Sequence, residues 1–164
     1  MSSNILVVGS INMDLITVLE RFPKVGETLL GQTFTTALGG KGSNQAVAAA
    51  RLGAQVAMIG AVGDDANGDA ALKILRQEGV DCSGIAVKTG MSTGIASITV
   101  AEGDNHIIVV SGANFALGLA DIDAHAELFA AADVVLCQLE IPMDCVLHAA
   151  QLAKQHGATF VLNP

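Results

Sequence analysis

At 164 residues the chain is long enough for one domain with a real hydrophobic core. Its 51% hydrophobic and 15% charged residues, and mean hydropathy of +0.54 without Trp or Tyr, suit buried strands packed under small-residue helices. Eight Lys and Arg against sixteen Asp and Glu leave a formal charge of −8, which excludes the basic field that a nucleic-acid partner requires.

The N-terminus lacks a basic segment followed by a long apolar one, so no signal peptide is expected. Residues 5–9 (ILVVG) form an aliphatic run too short for a helix, the pattern of a strand buried on both faces. Residues 9–14 (GSINMD) follow at once. Ligands of open α/β sheets bind outside the carboxyl ends of strands, where Asn12 and Asp14 stand. An amide and a carboxylate two residues apart suit vicinal hydroxyls. An Asx turn that merely ends the strand accounts for them equally.

Residues 15–37, rich in Thr and broken by Gly and Pro, read as a pair of strands and not as a crossover helix. The segment 38–44 (LGGKGSN) then sets three glycines within four residues, which lets backbone approach a ligand with no Cβ between. A helix expected over 44–52 would offer free N–H groups there. Lys41 adds donors, and Asn44 can both donate and accept. A plain glycine loop capped by Ser43 is the other reading. Thr35 stands where a Walker A loop needs its first glycine, and the glycine spacing is not a dinucleotide fingerprint.

Further along, a strand is expected at 56–60 and a helix at 66–78. The run Asp65-Ala66-Asn67-Gly68-Asp69 resembles a calcium loop, but Ala70 and Arg76 occupy the places of its obligatory Gly and Glu. A helix start with carboxylates in its first turn fits better. Residues 93–110 form a second strand pair, with a hairpin signal at Glu102-Gly103-Asp104-Asn105 between ASITV and HIIVV. A helix at 121–131, a strand at 134–137, a helix at 143–156 and a strand at 159–162 complete the alternation. It predicts a parallel sheet covered by helices on both faces, with the two strand pairs forming a small separate sheet over one end.

Glu140, in QLEIP, leaves a buried strand on the same rim as Asn12 and Asp14; complementing a helix dipole is its alternative role. Cys82, Cys137 and Cys145 match no zinc or CxxC spacing and read as reduced thiols in a cytoplasmic protein. His106, His125, His148 and His156 have no ligand spacing either. No apolar run reaches the roughly 20 residues of a membrane helix. Asn163-Pro164 reads as the start of a βα loop, so the chain is expected to be part of a larger fold.

Together these segments resemble the ribokinase–fructokinase family of sugar kinases. Residues 39–63 are similar to its first signature, with Asn44, Gly53 and Gly63 at the family spacings. GSINMD, GGKGSNQ and QLEIP have the forms of the ribokinase branch, and the resemblance extends from residue 5 to residue 164. It implies a three-layer αβα fold with a mostly parallel sheet, plus a β-sheet lid at about 15–37 and 93–110 through which members often form homodimers. It further implies that Asn12, Asp14, Gly40, Lys41, Asn44 and Glu140 hydrogen-bond a pentose, with Ala96 and Ile98 as apolar cover. The implied reaction is transfer of the ATP γ-phosphoryl group to the ribose 5-hydroxyl, with Mg2+ and with K+ as activator. The family's catalytic Asp lies in a Gly-Ala-Gly-Asp motif that this sequence lacks. The resemblance therefore places the catalytic base and ATP site beyond residues 1–164 and implies an inactive chain. Deoxyribose or a nucleoside as substrate, or a non-catalytic sugar-binding or dimerisation module, are the alternatives.

Overall fold

In a computed structural model that describes residues 3–164, the first aliphatic run forms strand β1 (Asn4–Val8). Its side chains alternate between two cores, Leu6 and Val8 entering one and Val7 the other. β1 is the middle of a five-stranded parallel sheet. Strands β4 (Gln55–Gly63) and β5 (Val80–Lys88) lie on one side of it, and β8 (Val134–Gln138) and β9 (Thr159–Asn163) on the other. Helices α1 (Lys41–Arg51) and α2 (Ala66–Gln77) cover one face, burying Ala46, Ala71, Leu72 and Leu75. Helices α3 (Leu119–Asp123), α4 (Ala126–Ala131) and α5 (Met143–His156) cover the other through Ile122, Phe129, Val146 and Ala149. Phe129 is fully buried, and truncating it to Ala would cost about 3–5 kcal/mol.

The lid is a second sheet, ordered β3-β2-β6-β7. Its strands are β2 (Asn12–Val18), β3 (Thr33–Gly39), β6 (Gly94–Ala101) and β7 (Asp104–Val110). The two expected pairs are antiparallel, and β2 and β6 join them by parallel pairing. The turn between β6 and β7 holds Glu102 at φ 55° and Gly103 at φ 80°, the left-handed pair that a tight hairpin requires.

Four expectations need correction. The strand pairs begin and end outside 15–37: β2 starts at Asn12, so Asn12 and Asp14 lie on a lid strand and not in a loop after β1. α1 starts at Lys41, not at residue 44, because Gly40 supplies the entry turn at φ 95°. The helix expected over 121–131 is two helices, because His125 leaves helical geometry at φ −128° and ψ 35°. α3 is fixed by Asp121, which accepts from Gly118 N at 2.7 Å and from Lys88 Nζ at 2.6 Å. Finally, β5 was not anticipated, since it is an edge strand whose polar residues interrupt the aliphatic pattern; its register slips between Ala57 and Ile59 of β4.

The chain builds β4 and β5 on one side of β1, then crosses to build β8 and β9 on the other. The strand order thus reverses between β1 and β8, and a crevice opens at their carboxyl ends. Among the described residues no helix is long and apolar enough to cross a membrane.

Candidate functional site

Ser10, fully buried just beyond β1, organises this crevice. Its hydroxyl donates to Glu140 Oε2 at 2.6 Å and accepts from Gly42 N at 3.2 Å. Its carbonyl accepts from Ser43 N at 2.9 Å. Glu140 Oε2 also accepts from Lys41 N at 3.0 Å. The first three N–H groups of α1 are therefore occupied by the protein itself, which corrects the expectation of free donors there. A carboxylate sits at the helix N-terminus in their place, where the dipole favours it. The helix that Glu140 complements is α1, reached across 99 residues of sequence. The entry residue is Gly40, whose φ of 95° suits only glycine, and a Cβ there would lie 2.9 Å from Asn12 N and Ser10 O. Ser43 does not cap the helix; its hydroxyl donates to Gly39 O.

The lid supplies the opposite wall. Asn12 and Asp14 are two apart on β2 and share one face. Their parallel neighbours on β6 are Gly94 and Ala96, and Ile98 lies beside Ile16, so Ala96 and Ile98 belong to that same face. Asp14 carries a carboxyl raised above its ordinary value by burial, and further by the charge of Glu140. The Glu140 charge is thus felt at Asp14. The Lys41 side chain is exposed and has no hydrogen bond or ion pair among the described residues.

Asn114, in the 3-10 turn Gly112–Ala116 that follows the lid, is 1% exposed. It accepts from Ile11 N at 2.8 Å and donates to Ile11 O at 3.1 Å and Asn12 Oδ1 at 2.8 Å. Between these groups lies a cavity of about 180 Å3. Asn12, Asn114 and Glu140 give its polar wall and Val109, Phe115 and Leu139 its apolar wall. The volume is below the roughly 300–1,000 Å3 of pockets for drug-sized ligands.

The structure therefore gathers Asn12, Asp14, Gly40, Lys41 and Glu140 at one rim. Asn44, one turn along α1 from Lys41, is exposed and also lines a groove with Leu38, Val47 and Arg51. Ala96 and Ile98 share the lid face but not the cavity lining. Ser10 and Asn114 were not singled out in the sequence. Ser10 lies within the GSINMD segment that carries Asn12, whereas Asn114 reaches its partners across more than 100 residues and had no local signal. A larger hollow of about 430 Å3 lies at the amino ends of β1, β4 and β5, with Asp81 as its only charged lining residue among the described residues. It lacks the convergence of donors and acceptors found at the carboxyl ends.

The crevice does not fit a nucleotide phosphate, because α1 has no free N–H groups and Asp14 and Glu140 would repel the charge. Among the described residues no three His, Cys, Asp or Glu side chains group to hold a metal ion. Carboxylate acceptors, an amide and a free ammonium together suit a neutral polyol.

A model of the pfkB family of carbohydrate kinases matches residues 2–164. The chain is 47% identical over 161 residues to a ribokinase of Bacillus subtilis (strain 168), covering 98% of this chain and 55% of that protein. It is 40% identical over 162 residues to a deoxyribokinase of Salmonella typhimurium (strain LT2), covering 98% and 53%. The structure of an Arabidopsis thaliana ribokinase complexed with ribose and ATP superposes with a TM-score of 0.89 at 35% identity, over 99% of this chain and 53% of that one. The chain spans about half the length of these proteins.

Proposed function

The chain belongs to the pfkB family of carbohydrate kinases, and from that premise we propose that residues 1–164 form the sugar-binding part of a ribokinase. In the whole protein the reaction is transfer of the ATP γ-phosphoryl group to the 5-hydroxyl of ribose. ATP, Mg2+ and K+ enter through the family resemblance and act at groups other than those described above.

The observation that carries the reading is the convergence at the β1/β8 switch point. Asp14 and Glu140 accept hydroxyl protons, Asn12 and Lys41 donate, and Gly40 lets the backbone come close. Asn44 adds a donor and acceptor from α1, and Ala96 and Ile98 cover the sugar with apolar surface. Residues 1–164 act as one α/β unit whose lid segments run over 12–39 and 94–110. The exposed lid residues Phe34 and Ile108, 63% and 68% accessible, support pairing of two lids in a cytoplasmic homodimer. Without a Gly-Ala-Gly-Asp segment, the chain alone binds sugar but does not turn it over.

Calorimetry of the 164-residue chain with ribose and 2-deoxyribose tests this. A site built for vicinal hydroxyls leaves polar groups unpaired when one hydroxyl is missing, so ribose binds at least about tenfold tighter. The 40% identity to a deoxyribokinase supports a second reading, in which deoxyribose is the substrate. Equal or tighter binding of 2-deoxyribose would favour it. Heat from neither pentose would refute the sugar site.

A further inference from the structure

We propose that Asn114 is a positioning residue that fixes the direction of the Asn12 amide, and through it the hydroxyl polarity that the cavity accepts. The inference rests on reading the cavity as the sugar site.

Amide nitrogen and oxygen are told apart only by their partners. A backbone N–H can only donate, so the Asn114 atom 2.8 Å from Ile11 N is its oxygen. Its nitrogen then faces Ile11 O at 3.1 Å and Asn12 at 2.8 Å. Both protons are spent, and the Asn12 atom receiving one of them is its oxygen. Asn12 Nδ2 is turned the other way. It has no partner among the described residues, yet it is not sealed off: the one fully covered side-chain N or O atom without a partner there is Gln138 Oε1. Asn12 lines the cavity beside Glu140, so Nδ2 faces it as a fixed donor.

Neither amide can relax. Asn114 is 1% exposed and Asn12 5%. Gly94 closes the third side, since a Cβ there would overlap both Asn12 Oδ1 and Asn114 Nδ2. The cavity thus pairs an immovable donor with a carboxylate acceptor. A sugar hydroxyl satisfies both at once, its oxygen accepting from Asn12 and its proton going to the carboxylate. An ether or carbonyl oxygen of the same shape satisfies only the first and faces the carboxylate without a proton. Asn114 acts wholly through Asn12.

Asn114→Asp keeps the acceptor for Ile11 N but replaces the donor facing Asn12 with a second acceptor. The Asn12 amide then turns its nitrogen inward and its oxygen to the cavity. Two measurements on the 164-residue chain decide the matter. Ribose affinity of the folded variant, by calorimetry, should fall at least about tenfold; affinity within about twofold of wild type would overturn the proposal. Side-chain amide exchange, followed by NMR without sugar, should show the Asn114 protons exchanging slowly with water and those of Asn12 fast. The variant should slow the Asn12 pair. The reverse pattern in the wild type, Asn12 slow and Asn114 fast, would also overturn it. The exchange pattern decides the role of Asn114 even if the variant does not fold. It also does so if the wild type binds no pentose, the result that refutes the sugar reading separately.

Discussion

Glu140→Ala removes the acceptor of two hydrogen bonds, from Ser10 Oγ at 2.6 Å and from Lys41 N at 3.0 Å. Hydrogen bonds to a charged group contribute about 1.5–3 kcal/mol each, and a carboxylate at a helix N-terminus about 0.3–1 kcal/mol more. Water can reach exposed Lys41 but not the buried Ser10, so the loss is discounted to about 2–4 kcal/mol. For a domain of this size that lowers the melting temperature by roughly 5–15 °C. Glu140→Gln separates bracing from binding. Its carbonyl oxygen can still accept from Ser10 and Lys41, so the melting temperature should fall by less than about 4 °C. Its other atom becomes a donor where the sugar needs an acceptor, and ribose affinity should drop about a hundredfold. Thermal denaturation by circular dichroism and calorimetry on both variants give the two readouts. Wild-type affinity in Glu140→Gln would reduce Glu140 to a brace. Wild-type melting in Glu140→Ala would refute the bracing itself.

Asp14 and Asp65 give opposite pH signatures. Asp14 has its carboxyl raised by burial and by Glu140, so its contribution to stability is present below the unfolded value and is lost as pH rises through the folded value. Asp14→Asn should therefore raise the melting temperature near pH ~7 and leave it unchanged near pH ~3, while removing most ribose affinity; a lower melting temperature near neutrality would contradict the placement of the two carboxylates. Asp65 feels burial pushing its carboxyl up, but bonds from Thr93 Oγ1 at 2.6 Å, Thr93 N and Gly68 N at 2.9 Å outweigh this and hold it below the usual range. That stability is present above the unfolded value and lost as pH falls through the folded one. Asp65→Ala, which also uncaps α2, should cost about 2–3 kcal/mol at neutral pH in urea denaturation and flatten the acid limb. An unchanged midpoint would show that Asp65 does not tie α2 to the base of β6.

Much of the fold was legible because its signals are local. Strands such as Leu6–Val7–Val8 are buried on both faces and read as unbroken aliphatic runs. The Glu102–Gly103 turn needs two left-handed residues, and the sequence there supplies a glycine between alternating strands. β5 escaped because an edge strand can carry Asp81, Cys82 and Ser83 without breaking a core, and His125 interrupts a helix that composition alone extends. In the site, Asn12, Asp14 and Glu140 were recognisable as polar residues that follow buried aliphatic runs. What each one does was not. The N-terminus of α1 looked open because Glu140 and Ser10, which fill it, lie 99 and 32 residues away. Asn114 is an ordinary asparagine in the sequence, and only the closure of the lid base onto Ile11 and Asn12 gives it a role.

Residue-resolved NMR titration of the 164-residue chain, with ribose and separately with ATP and Mg2+, tests the central claim most directly. Ribose should shift the resonances of Asn12, Asp14, Gly40, Lys41, Asn44 and Glu140, and ATP should shift none of them. Saturable ATP binding in this crevice, or ribose shifts confined to the hollow at the amino ends of β1, β4 and β5, would contradict the account.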